Sequence, residues 1–132
     1  MNRWVKTLLI LSTTYDTVTQ LEFQKIDSEG EMVKLSCGYK TTSSRPELLW
    51  YRQRTNDFPR FLLLRNEYSA GQNGTDLTER FHSNVDSDSK SAPLTIWNLQ
   101  VSDSAVYYCA LRKHDNKRGE CVQWEDTDTK PK

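Results

Sequence analysis

The strongest constraint on how this chain can fold is the spacing of its apolar residues. They come in short alternating segments, and no stretch holds them at i, i+3, i+4 and i+7 over successive helical turns. Val33, Leu35 and Cys37 alternate with Lys34 and Ser36, so that segment buries one face and wets the other. Leu48, Trp50 and Arg52 alternate with Leu49, Tyr51 and Gln53, and there neither face is wholly polar. Phe61, Leu62, Leu63 and Leu64 form a continuous apolar run, Leu94 and Ile96 flank Thr95, and a second alternating segment contains Tyr107 and Cys109. Between them, Thr, Ser, Asn, Asp and Gly at 41–44, 54–57, 69–74 and 87–90 supply turn chemistry. The pattern predicts an all-β fold of short strands.

A length of 132 residues leaves room for one hydrophobic core. Eighteen basic residues balance eighteen acidic ones, so no net field exists to recruit nucleic acid or an anionic membrane. No apolar run approaches the roughly 18 residues of a membrane-spanning helix. Arg3 and Lys6, followed by Thr7-Leu8-Leu9-Ile10-Leu11 without an acid, have the order of a short secretory leader over 1–15, with an N-terminal strand or tail as the alternative. Residues 112–132 carry six Lys plus Arg and five Asp plus Glu, with Cys121, Val122 and Trp124 as their apolar residues. Such a segment buries too little to offset its ordering entropy, and a loop start followed by a disordered tail is expected there.

Cys37 and Cys109 are the cysteines that fall on alternating segments, whereas Cys121 lies in the charged tail. If the strands stack as two sheets, a Cys37–Cys109 disulfide crosslinks the layers and the Trp50 indole fills the space beside it. Tyr107 stands where a buried phenol can hydrogen-bond back to the corner before its strand. Leu35, Leu94 and Ile96 complete the expected core. With these residues the chain resembles an immunoglobulin variable domain. The motifs are Cys37, Trp50-Tyr51-Arg52-Gln53, Arg80-Phe81, Leu94-Thr95-Ile96 and Asp103-Ser104-Ala105-Val106-Tyr107-Tyr108-Cys109, in the family's order over 16–111. Trp50-Tyr51-Arg52-Gln53 and the run at 102–112, S-D-S-A-V-Y-Y-C-A-L-R, are most similar to T-cell receptor alpha or delta variable segments. The resemblance implies a V-type two-sheet Greek-key sandwich. Its final strand is expected to be incomplete, because no F-G-x-G follows Cys109. A germline segment translated past its coding end would leave such a tail.

By strand parity Leu49, Tyr51, Gln53, Tyr108 and Ala110 share the face opposite Trp50 and Cys109. Aromatic residues gathered on an outer sheet face suggest a covered surface. The resemblance assigns it to pairing with a second receptor variable domain, of beta or gamma type, through Tyr51, Gln53, Pro59, Phe61 and Tyr108. Gln53 would bond the partner's amide across the axis. The resemblance also implies an Arg80–Asp103 ion pair closing one end of the sandwich. At the other end it implies three ligand-binding loops, near 39–47, near 65–72 and after Cys109. Tyr39, Arg45, Glu67, Tyr68, Leu111 and Arg112 are the expected contacts to peptide held by a major histocompatibility complex molecule, or to another cell-surface antigen. Asn73-Gly74-Thr75 fits the N-x-[ST] glycosylation pattern in an expected exposed loop.

Signalling would then come from other chains. The domain is expected on the extracellular side of the plasma membrane within a receptor complex, or secreted if the chain is complete. The competing reading is a V-type immune receptor that never rearranges, or a soluble immunoglobulin-like binding protein, with Cys121 bridging to a partner. Catalysis finds little support: the imidazoles are His82 and His114, and neither lies in a G-x-S-x-G elbow, an H-E-x-x-H helix or a Gly-rich phosphate loop. No catalytic residue, metal ligand set or cofactor is expected.

Overall fold

In the computed structural model, described over residues 16–21 and 27–113, the alternating segments become short strands. They are β1 (Thr17–Thr19), β2 (Val33–Leu35), β3 (Gly38–Lys40), β4 (Pro46–Gln53), β5 (Arg60–Arg65), β6 (Gln72–Asn73), β7 (Phe81–Ser83), β8 (Leu94–Ile96) and β9 (Val106–Lys113). A 3-10 turn at Val101–Asp103 leads into β9. The sequence-expected leader, Cys121, His114 and nearly all of the expected tail lie outside the described residues. No helix among the described residues is long and apolar enough to cross a membrane.

One antiparallel sheet has the order β6-β5-β4-β9 and a second has β2-β8-β7. The β1–β3 pair extends the second layer, because the Tyr39 N–H donates to the Lys90 carbonyl at 3.1 Å and the Ala92 N–H to the Cys37 carbonyl at 2.9 Å. Strands distant in sequence, β2 with β8 and β4 with β9, lie side by side, as in a Greek-key sandwich. Cys37 and Cys109 form a disulfide across the two layers, with Cα atoms 6.2 Å apart. Trp50 lies opposite Cys109 in the β4–β9 ladder, is fully buried, and donates its indole N–H to the Ala92 carbonyl at 2.9 Å. The indole therefore fills the core while its one polar group is satisfied. Leu94 and Ile96 are buried with it, and Leu35 and Tyr107 pack at the core's margin.

The apolar run 61–64 lacks alternation for a local reason. Opposite β4 the register slips by one residue: Trp50 faces Leu63 and Tyr51 faces Phe61. The bulge at Leu62 sends both Leu62 and Leu63 into the core, while Phe61 and Leu64 turn to the outer face.

Among the described strands β9 has β4 as its ladder neighbour, and its other edge faces the segment that carries Gln20. The Gln20 side chain takes part of that edge. Its Nε2 donates to the Tyr107 carbonyl at 3.0 Å and its Oε1 accepts from the Cys109 N–H at 2.9 Å. One side-chain amide thus satisfies a donor and an acceptor that a further strand would otherwise take.

Candidate functional site

One end of the sandwich is a closed polar lock. Asp103 accepts two hydrogen bonds from the Arg80 guanidinium, at 2.8 and 2.9 Å, and a third from the Gln100 N–H at 2.8 Å. The Asp103 side chain is 3% exposed and that of Arg80 20%. Arg80 also donates to the Trp97 and Asn98 carbonyls, each at 3.2 Å. The Arg80 hydrogen bonds hold the Asp103 carboxyl below the usual aspartate range, against the opposing effect of burial. Tyr107 closes the corner, its hydroxyl donating to the Asp103 carbonyl at 2.6 Å. Burial pushes that phenol up to about 12. Two results follow for a Tyr107→Phe variant. Its stability should fall by about 1 kcal/mol through the lost hydrogen bond. Its phenolate absorbance titration should lose the most alkaline step. Arg80, Asp103 and the Tyr107 hydroxyl are all bonded within the chain.

The outer face of the β6-β5-β4-β9 sheet is different. Tyr51 and Tyr108 stand directly opposite each other, and the Tyr51 and Phe61 rings meet edge to face with centroids 5.9 Å apart. Pro59 is exposed beside them, and Phe58 is 61% exposed. Leu49 and Leu64 lie deeper on the same face. Gln53 makes two bonds within the chain. Its Oε1 accepts from the Tyr108 hydroxyl and its Nε2 donates to the Asp57 carbonyl, both at 2.9 Å. The second N–H and second lone pair of the Gln53 amide leave room for a bond across a pairing axis.

At the opposite end from the lock, the ends of β4, β5 and β9 converge on Glu47. Its carboxylate is buried on the outer face, directly across the ladder from Arg112. Arg112 grips Oε1 with Nε at 2.8 Å and Nη2 at 2.7 Å. Oε2 accepts from the Tyr68 hydroxyl at 2.6 Å and from Asn66 Nδ2 at 3.4 Å. The Arg45 guanidinium stacks 3.9 Å over the Tyr68 ring. Burial, then the hydrogen bond to Glu47, raises the Tyr68 phenol above its ordinary value. Asn66 Oδ1 accepts from the Tyr68 and Ser69 N–H groups at 3.1 and 2.8 Å, which shapes the turn carrying Tyr68.

Of the expected loop contacts, the structure brings together Arg45, Tyr68 and Arg112. Two others, Tyr39 and Leu111, lie elsewhere, and Arg112 is placed on a strand. Tyr39 is not a loop residue: it lies in β3, is 7% exposed and packs in the core, because it continues the inward parity of Val33 and Cys37. Leu111 lies within β9 opposite Leu48, packed against the core, so it presents no loop surface. Arg112 also belongs to β9 rather than to a loop, since the ladder with β4 runs on to Lys113. Glu67 is exposed, and its carboxylate accepts from the Ser87 N–H at 3.3 Å, away from this cluster. Asn73 is exposed as expected of an acceptor, but it sits on β6 opposite Leu63 rather than in a loop. Gly74 allows that close approach: a Cβ there would lie 2.2 Å from the Phe61 carbonyl oxygen.

Sequence reasoning passed over Gln20 and Glu47. A register signal for Glu47 was present, since placing Trp50 against Cys109 puts Glu47 against Arg112. Among the described residues, no group of three or more His, Cys, Asp or Glu is placed to hold a metal ion. His82 is exposed on β7, apart from these groups.

A family model described as Immunoglobulin V-set domain matches residues 26–125. The T cell receptor alpha chain MC.7.G5 of Homo sapiens is 36% identical over 115 residues, covering 83% of this chain and 41% of that one. The immunoglobulin omega chain of Mus musculus is 38% identical over 102 residues, covering 74% of this chain and 71% of its own length. T cell receptor alpha variable 38-2/delta variable 8 of Homo sapiens is 37% identical over 109 residues, covering 79% of this chain and 91% of its own length. The chain therefore spans less than half of the first relative and most of the third. These relatives are receptor and immunoglobulin chains rather than enzymes.

Proposed function

The chain belongs to the immunoglobulin V-set family, and on that premise we propose that it is the antigen-recognition variable domain of a T-cell receptor alpha or delta chain. It pairs with a second variable domain, of beta or gamma type, and the pair binds peptide held by a major histocompatibility complex molecule or another cell-surface antigen. It works on the extracellular side of the plasma membrane within a receptor complex whose signalling belongs to other chains.

The observation that carries this reading is the outer sheet face. Tyr51, Phe61 and Tyr108 form an aromatic surface flanked by exposed Phe58 and Pro59, on the same face as the Glu47 cluster at the loop end. Aromatic residues ringed by polar groups have the composition of an interface core. Pairing through that face places Arg45 and Tyr68 beside the partner's own loops, where Tyr and Arg give large contact area and directional hydrogen bonds. Asn73, exposed on the β6 edge within an N-x-[ST] pattern, is the glycan acceptor in this reading.

Sedimentation of this chain with beta-type and gamma-type variable domains tests the proposal. Tyr51→Asp and Tyr108→Asp should each weaken the heterodimer by about thirtyfold or more, as expected for a buried aromatic anchor. His82→Asp, on the other sheet, should leave it unchanged. No heterodimer with either type, or equal affinity for all three variants, would overturn the pairing reading.

A further inference from the structure

We infer that Glu47 is a positioning residue that locks the three segments of the ligand-facing end into one mutual arrangement, so that a change at the end of β9 is felt in the loops before β4 and after β5. The inference rests on the reading of that end as the binding surface, and it says how the surface is held in shape.

The physical case starts from burial. A carboxylate on a side chain 7% exposed costs free energy unless its oxygens are occupied, and each Glu47 oxygen is taken by a different segment. Oε1 belongs to Arg112 on β9, and Oε2 to Tyr68 and Asn66 from the segment after β5. Tyr68 in turn carries the Arg45 guanidinium on its ring, which brings in the segment before β4. The Asn66 side chain bridges Glu47 to the Tyr68 and Ser69 amides, so carboxylate geometry is passed to the backbone of that turn. Glu47 itself is fixed within the eight-residue strand β4, next to the buried Leu48, Leu49 and Trp50. A strand thus holds a single anion on which β9 and the segment after β5 close, and Tyr68 links Arg45 to it.

The arrangement has a functional consequence. Arg112 lies near the end of β9. Loss of its guanidinium removes two charged donor contacts from Oε1 and so weakens the hold on the carboxylate that the Tyr68–Asn66 side shares. The surface presented by Arg45 and Tyr68 therefore depends on the residue at 112, although that residue need not touch ligand.

The test is hydrogen exchange on the 132-residue chain, without ligand. Arg112→Gln changes an exposed side chain and should fold. It is expected to speed exchange at the Tyr68 and Ser69 amides and at the Arg45 amide by about tenfold, the scale of one charge-assisted hydrogen bond, while amides of Leu48 and Trp50 keep their protection. Glu47→Gln should reproduce that pattern and move the Tyr68 phenol back toward its ordinary value. Glu67→Gln should leave the Arg45 amide unchanged. In a double-mutant cycle, Arg112→Gln and Tyr68→Phe should be coupled by about threefold or more in the unfolding constant. Additive effects, or exchange changes confined to residues beside each substitution, would overturn the inference. Because no readout uses a ligand, failure of the chain to bind any antigen would overturn the binding reading and leave this coupling standing.

Discussion

Cys37→Ala/Cys109→Ala is expected to lower the free energy of unfolding by about 2 to 5 kcal/mol, the usual effect of removing a disulfide from a small secreted domain. The bond joins residues 72 positions apart, so it removes a long loop's freedom from the unfolded chain. It also sits against Trp50, whose indole bonds Ala92, the residue whose own N–H reaches back to the Cys37 carbonyl. Loss of the bridge therefore loosens both layers where they are most tightly packed. Against a total stability of about 5 to 15 kcal/mol for such a domain, that is a large share of what keeps it folded. Urea titration reads this as a large fall in midpoint. A change below about 1 kcal/mol would mean that the core carries the fold without its crosslink.

Arg80→Met should have the next largest effect, and its size should depend on pH. Breaking a buried pair by removing one partner costs about 3 to 5 kcal/mol. The lower part of that range applies here, because the Arg80 side chain is 20% exposed and water screens the pair. In the parent chain the folded Asp103 carboxyl titrates below its unfolded value, so its contribution is complete above about pH 4 and is lost as pH falls through the lowered folded value. In Arg80→Met burial acts on Asp103 without the compensating guanidinium, and its protonation becomes easier when folded. The gap in stability between parent and variant should therefore be widest near neutral pH and should narrow in acid. Urea midpoints at about pH 7 and about pH 3 check this. Parallel losses at both pH values would mean that Arg80 acts through packing alone.

How much of this was legible beforehand depended on whether strand parity could be carried from a known point. The alternation at 48–53 separated the core side of β4 from its outer side, and the structure has Trp50 inside and Tyr51 outside. The same parity, continued from Cys37, would have put Tyr39 in the core; the Thr and Ser residues that follow drew it into a loop instead. Continued from Cys109, it would have put Leu111 inside and extended β9. The bulge at Leu62 was hidden, since four consecutive apolar residues have no period from which to read a slip. Glu47 required register between two strands, which no single segment contains. Gln20 leaves no pattern at all, because one side chain there does the hydrogen bonding of a strand.

Among the remaining consequences, pairing through Tyr51 and Tyr108 and loop coupling through Glu47 have separate tests, and each can fail without the other. The claim beneath both is that this is an antigen-receptor variable segment. The most direct test is to sequence lymphocyte transcripts through the codons that follow Cys109. The account predicts one variable segment joined to many different third loops, each leading into F-G-x-G and a constant region. Transcripts that all read 112–132 unchanged would contradict it, and would make the chain a V-type binding protein that does not rearrange.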